Sequence, residues 1–119
     1  MNYKMFRFEL NDIDWTIKLV HTNTIVDRYN KENEEKSSFV FGLTIYPDNE
    51  IWINESLFDD EKLRTLIHEL THCYLWSYGF NNVSEYTEEM VCDIMASAYK
   101  FINKTILLYF YNKNNTDNG

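Results

Sequence analysis

Two histidines and a glutamate in the middle of the chain have the spacing of a hydrolytic metal site. Residues His68, Glu69 and His72 form an HExxH pattern within the sequence HELTH. On a helix, residues four apart lie one turn above each other on the same face, so the two imidazoles can bind one ion. Glu69 is rotated about 100° around the axis from His68, where its carboxylate can act as a general base on a water held by the ion. The motif predicts Zn²⁺ as the cofactor and His68 and His72 as metal ligands.

A catalytic zinc site takes three protein ligands and leaves a further position for water, so a third ligand must come from elsewhere. The downstream candidates are carboxylates: Glu85, Glu88, Glu89 and Asp93. Glu89 and Asp93 are four residues apart and share one face of a predicted helix, so one can bind the metal while the other orients a ligating histidine. Spacing alone leaves both Glu88 and Glu89 open as the third ligand.

The two motifs together resemble the ImmA/IrrE-type metallopeptidases and their small phage or mobile-element relatives. The segment TLIHELTH at 65–72 is followed by EMVCDIMA at 89–96, and those families pair HExxH with a downstream pattern close to E-x-x-A-[ND]-x-F-A. The strand-like segments GLT at 42–44 and IWIN at 51–54 extend the likeness, which covers about residues 40–102. Cys92 and Met95 depart from the family pattern. The resemblance implies a gluzincin-like site with His68, His72 and Glu89 as zinc ligands, Glu69 as the base and Asp93 as the residue that orients a ligand.

The function implied by the resemblance is hydrolysis of peptide bonds in a specific regulatory protein. Glu69 would act as general base on zinc-bound water, and the partner would be a protein or peptide substrate. One alternative is a non-catalytic phage or mobile-element protein that binds metal or a regulator without turnover. Another is a metal-dependent hydrolase that acts on a bond other than a peptide bond.

Two hairpins and two long helices are predicted to position these side chains. Alternation of apolar and polar residues predicts one hairpin within 5–20 and another within 39–53, with a short helix and a charged loop between them. Asp59 or Asp60 is predicted to cap a helix that ends near Gly79, and Ser84 a second helix that continues to about Tyr109. We therefore expect an α+β fold, a small antiparallel sheet packed against two long helices, as a minimal zincin-like metallopeptidase.

Several other polar side chains are candidates for contacts with a substrate. His21, Tyr74, Tyr78 or Tyr86 can stabilise a developing oxyanion, and the sequence does not choose among them. Asn54 at a strand edge can pair with an extended substrate backbone or form a turn.

Composition predicts one folded domain and argues against some partners. The chain has 119 residues, 45% of them hydrophobic, which predicts a single domain at 1–111 followed by a flexible polar tail at 112–119. A net charge of -8 argues against direct nucleic-acid binding. The sequence shows no secretion signal and no apolar run long enough to cross a bilayer, so we expect a cytoplasmic protein without a membrane partner. Cys73 and Cys92 are predicted to be buried free thiols.

Overall fold

A four-stranded sheet forms one layer of the molecule. The computed structural model describes residues 5–80 and 85–111. The first hairpin consists of β1 (Met5–Leu10) and β2 (Ile13–Val20), and the second of β3 (Gly42–Ile45) and β4 (Glu50–Asn54). The strand order is β1-β2-β4-β3, so β3 is an edge strand. Both predicted hairpins are confirmed.

The sheet is mixed, and the prediction of an antiparallel sheet is wrong, because β2 and β4 pair in parallel. After β2 the chain forms α1 (Thr22–Glu32) and a loop. This connection returns the chain to the end of the sheet where β2 stops. There Glu55 N donates a hydrogen bond to Val20 O, and Asn54 N donates one to Phe41 O, both at 2.9 Å. A chain that leaves β2 and enters β3 at the same end must run β3 opposite to β2, and the following hairpin then makes β4 parallel to β2.

Two helices of 19 residues each form the other layer, as predicted. They are α2 (Asp59–Ser77) and α3 (Glu88–Ile106), and α3 continues into a π-helical segment (Leu107–Tyr111). α2 packs on β3 and β4, and α3 packs on α2. The centre of the core consists of apolar side chains with no solvent exposure from the sheet and α2: Trp15, Ile17, Ile51, Ile53, Leu66, Leu70 and Cys73.

The start of α2 differs from the prediction. Phe58 precedes the helix, and its backbone N donates a hydrogen bond of 2.9 Å to Glu61 Oε1. Asp59 and Asp60 are the first helical residues rather than caps. They still favour the helix start, since carboxylates there interact with the positive end of the helix dipole. The predicted end near Gly79 is confirmed, because Gly79 has a φ of 81° and follows the last turn.

The start of α3 is capped by Thr87, whose Oγ1 accepts a hydrogen bond of 3.1 Å from Met90 N. The predicted cap, Ser84, lies outside the described residues. Two apolar side chains of this helix, Val91 and Met95, are 47% and 49% exposed. A helix that packs along one line of side chains leaves the edge of a wide apolar stripe in solvent.

The two cysteines have different surroundings, and neither forms a disulfide. Cys73 is buried as predicted. Cys92 is exposed, so its predicted burial is wrong, because it lies on the side of α3 away from the buried Ile94 and Ala98. In the described parts of the chain, no helix is long and apolar enough to span a membrane.

Candidate metal and catalytic site

His68 and His72 lie one turn apart on the exposed side of α2. Their Nε2 atoms are 3.2 Å apart, and their ring planes cross at 76°. In a tetrahedral zinc site with metal–nitrogen distances of about 2.0–2.1 Å, two ligand nitrogens are separated by about 3.3–3.4 Å. The observed separation therefore fits two imidazoles on a single ion with little movement of either ring.

Glu69 points in a different direction from the histidines, into the interface between α2 and the sheet. It is 6% exposed, whereas the side chain of His68 is 67% exposed. Glu69 Oε1 accepts a hydrogen bond of 2.8 Å from Thr44 Oγ1, and Oε2 lies 4.0 Å from His68 Nε2. Burial raises the pKa of Glu69, against the opposing effects of the Thr44 hydroxyl and of His68 and His72. The arrangement holds one carboxylate oxygen fixed and leaves the other beside the imidazoles.

Gly42 allows β3 to approach α2 closely enough for this contact. A Cβ added at Gly42 would lie 2.6 Å from Thr65 Cγ2, 3.1 Å from Trp52 O and 3.2 Å from Glu69 Cγ. The strand can therefore bring Thr44 to Glu69 because residue 42 has no side chain. Sequence reasoning noted GLT at 42–44 as part of a resemblance but assigned no role to Gly42 or Thr44. A lone glycine in the first strand of the predicted hairpin within 39–53 is the signal that would have found this contact.

A cleft of about 320 Å³ opens between the edge strand and α2 beside His68. Arg64 lies one turn before His68 on α2, and Phe41 immediately precedes β3. Arg64 was not among the predicted site residues. The cleft is lined by residues of α2 and by the start of β3 with the residue before it: Phe41, Gly42, Arg64, Thr65, His68 and Glu69.

Two groups near Glu69 remain protonated over the ordinary pH range. The ring of Tyr46 stacks on Trp76 with centroids 5.5 Å apart. Burial raises the pKa of the Tyr46 phenol, and the Glu69 carboxylate raises it further. Burial likewise raises the pKa of Cys73 to about 12, so this thiol has little thiolate character. The Tyr46 phenol is thus neutral and its ring packs on Trp76, while Cys73 serves packing.

The predicted carboxylate ligands lie apart from the histidine pair. Glu88, Glu89 and Asp93 are all exposed on α3. Asp93 lines a separate cavity of about 220 Å³ together with Tyr74. Within residues 5–80 and 85–111, no group of three or more His, Cys, Asp or Glu side chains is arranged to hold a metal ion. The ligand role of Glu89 and the orienting role of Asp93 stay predictions.

Comparisons with known proteins do not supply a relative whose function bears on this site. No family model, no curated protein and no solved structure matches the chain. The resemblance to the ImmA/IrrE-type metallopeptidases rests on the two motifs and also stays a prediction.

The other candidate residues make contacts within the fold. His21 precedes α1, and its Nδ1 accepts a hydrogen bond of 3.3 Å from Asn23 N. Tyr86 Oη donates a hydrogen bond of 2.7 Å to Phe80 O. Tyr74 is buried against Tyr78, with ring centroids 4.8 Å apart. These contacts give the side chains of His21, Tyr74 and Tyr86 structural roles.

Asn54 joins the end of β4 to the neighbouring segments. Its side chain has no solvent exposure. Nδ2 donates a hydrogen bond of 3.0 Å to Val40 O, and Oδ1 accepts bonds from Thr22 Oγ1 at 3.0 Å and Ser56 Oγ at 2.8 Å. The hypothesis that Asn54 pairs with a substrate backbone is therefore wrong, because all of its polar atoms are engaged inside the protein.

Proposed function

We propose that the chain is a small zincin-like, zinc-dependent metallopeptidase, with His68 and His72 as metal ligands and Glu69 as the general base. The observation that carries the proposal is the 3.2 Å separation of two imidazole nitrogens beside a buried carboxylate. Zinc bound there would supply Lewis acidity to a water and to a substrate carbonyl. Glu89 is the proposed third ligand and Asp93 the proposed orienting residue, both from the sequence resemblance.

Glu69 is suited to move a proton because its two oxygens have different surroundings. Thr44 Oγ1 donates to Oε1 at 2.8 Å, which fixes the orientation of the carboxylate. Oε2 lies on the side of His68, at 4.0 Å from Nε2, and is the oxygen that would accept a proton from the attacking water and pass it to the leaving amine. Burial raises the pKa of Glu69 and so increases its ability to hold that proton.

The edge strand β3 offers a means of holding an extended substrate. Among the strands of the described residues, β3 pairs with β4 alone, so its other edge is open. A peptide that pairs with this edge would run along the cleft between Gly42 and His68. A peptide bond held there would lie close to Glu69. The resemblance points to a specific regulatory protein as the natural substrate.

Zinc content and peptide cleavage, measured together, test the proposal. We expect the purified chain to bind one zinc ion and to cleave members of a peptide library, with products identified by mass spectrometry. Glu69→Gln should retain zinc and lose about 10²–10⁴-fold in cleavage rate, the usual contribution of a general base. His68→Ala and His72→Ala should lose zinc. A chain that takes up no zinc, or a Glu69→Gln variant with full activity, would contradict the proposal.

The same measurements decide the identity of the third ligand. Glu89→Gln and Glu88→Gln are matched changes at neighbouring exposed positions of α3. We expect zinc affinity to fall in Glu89→Gln and to be unchanged in Glu88→Gln. The opposite pattern would assign the ligand to Glu88. Tight zinc binding without cleavage of any peptide would favour the alternative of a non-catalytic metal-binding protein.

A further inference from the structure

Arg64 is a cation in the cleft whose side chain has no partner among the residues that the structure describes. It is exposed on α2, one turn before His68, and lines the cleft. Lys18 and Arg28, by contrast, pair with acidic side chains: Lys18 with Glu50, and Arg28 with Glu32 and Asp48. The side chain of Arg64 makes no hydrogen bond or ion pair with any residue of 5–80 or 85–111. In a chain with a net charge of -8, Arg64 therefore places a positive charge without an acidic partner among these residues beside the candidate site.

The acidic side chains of α2 near Arg64 do not form an ion pair with its guanidinium. Glu61, one turn earlier, accepts a hydrogen bond from Phe58 N. Glu69, which lines the same cleft, accepts its hydrogen bond from Thr44 and is almost fully buried. The donors of Arg64 are therefore available to a bound molecule. A guanidinium presents a planar fork of N–H groups that matches the two oxygens of a carboxylate.

The opposite wall of the cleft is aromatic. Phe41 is 50% exposed, and its ring meets that of Phe39 edge to face, with centroids 5.1 Å apart. A substrate residue seated between Phe41 and Arg64 would have an apolar surface on one side and a positive charge on the other. An apolar wall reduces contact with water, which strengthens an ion pair formed beside it.

We propose that Arg64 is a specificity-determining residue that binds a carboxylate of the peptide substrate, with Phe41 packing against the same substrate residue. The inference rests on the proposed peptidase function. The carboxylate belongs either to an aspartate or glutamate side chain or to the free C-terminus of the substrate, and the two sources share the chemistry that Arg64 recognises.

Binding to the zinc-loaded Glu69→Gln variant tests the inference without cleavage of the probe. The probes are fluorescein-labelled peptides. They are chosen from sequences that the wild type cleaves or, if it cleaves none, from the whole peptide library. In one arm a single glutamate is compared with glutamine. In the other a free C-terminus is compared with an amidated one. We expect one carboxylate form to bind about five- to tenfold more tightly than its neutral match, as for a charged hydrogen-bonded pair at a partly exposed site. The arm that shows the preference identifies the source of the carboxylate.

Charge reversal at Arg64 then tests whether this residue causes the preference. In the Glu69→Gln background, Arg64→Glu should abolish the preference for the carboxylate peptide, and Arg64→Lys should retain part of it. Lys62→Glu changes the net charge equally on the same helix but lies outside the cleft lining, so it should keep the full preference. Urea unfolding midpoints establish that each variant is folded.

Three outcomes are distinguishable. A preference that Arg64→Glu removes and Lys62→Glu retains supports the inference. Equal binding of the charged and neutral peptides, or a preference that survives Arg64→Glu, overturns it even when the wild type cleaves peptides. An Arg64-dependent preference in a protein that cleaves no peptide supports carboxylate binding and overturns the peptidase proposal.

Discussion

Replacing Thr44 with valine tests whether the sheet holds the Glu69 carboxylate, the proposed general base, in place. Valine has nearly the shape of threonine and suits a β-strand, so the change removes the hydroxyl while it preserves packing. The lost interactions are the 2.8 Å hydrogen bond from Thr44 Oγ1 to Glu69 Oε1 and a longer contact of 3.3 Å from the same hydroxyl to Glu69 O. Glu69 is 6% exposed, so water has little access to replace the missing donor.

The expected loss of stability follows from the charge and burial of the acceptor. A hydrogen bond to a charged group contributes about 1.5–3 kcal/mol, and a buried partner left unpaired incurs its full desolvation penalty. We expect Thr44→Val to lower the free energy of unfolding by about 2 kcal/mol. We also expect cleavage to fall by about 10²-fold, because a displacement of about 1 Å in a catalytic group has effects of that size.

Urea unfolding, zinc content and cleavage rate together check this prediction, with Thr71→Val as the matched control. Thr71 lies on α2, as Glu69 does, but its Oγ1 donates a hydrogen bond of 2.7 Å to Ile67 O within the helix rather than to Glu69. The control should stay within about 0.5 kcal/mol of the wild type, as is usual away from buried polar networks. A Thr44→Val variant as stable and as active as Thr71→Val would refute the anchoring role of Thr44.

Three further predictions concern the elements around the site. Gly42→Ala should lower the free energy of unfolding by about 1–3 kcal/mol through overpacking. A second change, Thr65→Ser, should restore part of that loss because it removes the Cγ2 atom that would lie 2.6 Å from the added Cβ. No loss of stability in urea unfolding would contradict the close approach of β3 to α2. Asn54→Ala should cost about 1–3 kcal/mol because it leaves buried polar groups unpaired, and a thermal unfolding midpoint equal to the wild type would contradict that role. Burial opposes ionisation of Glu50, but hydrogen bonds led by that from Lys18 lower its pKa in the fold. The stability from this carboxylate is therefore present above its unfolded pKa and is lost as pH falls through the folded pKa. Between about pH 5 and 3, Glu50→Gln should therefore lose less free energy of unfolding than the wild type, as measured by urea unfolding at each pH. Parallel pH profiles for the two proteins would exclude the effect.

Local patterns predicted the elements that carry the candidate site. The apolar spacing from Leu63 to Tyr74 follows one face of a helix, so α2 and the relation of His68 to His72 were readable from the sequence. Helix caps were less predictable, because several polar residues near a helix start can satisfy the same backbone groups. At the start of α2, Phe58 takes the cap position and its backbone N donates a hydrogen bond to Glu61, so neither Asp59 nor Asp60 is the cap.

Contacts between elements were not readable in the same way. Thr44 and Glu69 are 25 residues apart, and their hydrogen bond depends on how closely β3 approaches α2. That Arg64 has no acidic partner in the described part of the chain depends equally on which acids surround it in space. Such contacts depend on packing between elements, which periodicity does not describe.

The sequence by itself determined the two hairpins, the two long helices and the placement of His68 and His72 one turn apart, because each follows from residues that are close along the chain. The tertiary structure alone decided that β2 and β4 run parallel and that β3 lies at the edge beside α2. It also decided that Thr44 fixes Glu69 and that Arg64 lines the cleft. These features depend on where the chain returns after α1 and on how closely two layers pack, and both are set by the whole core rather than by any local segment.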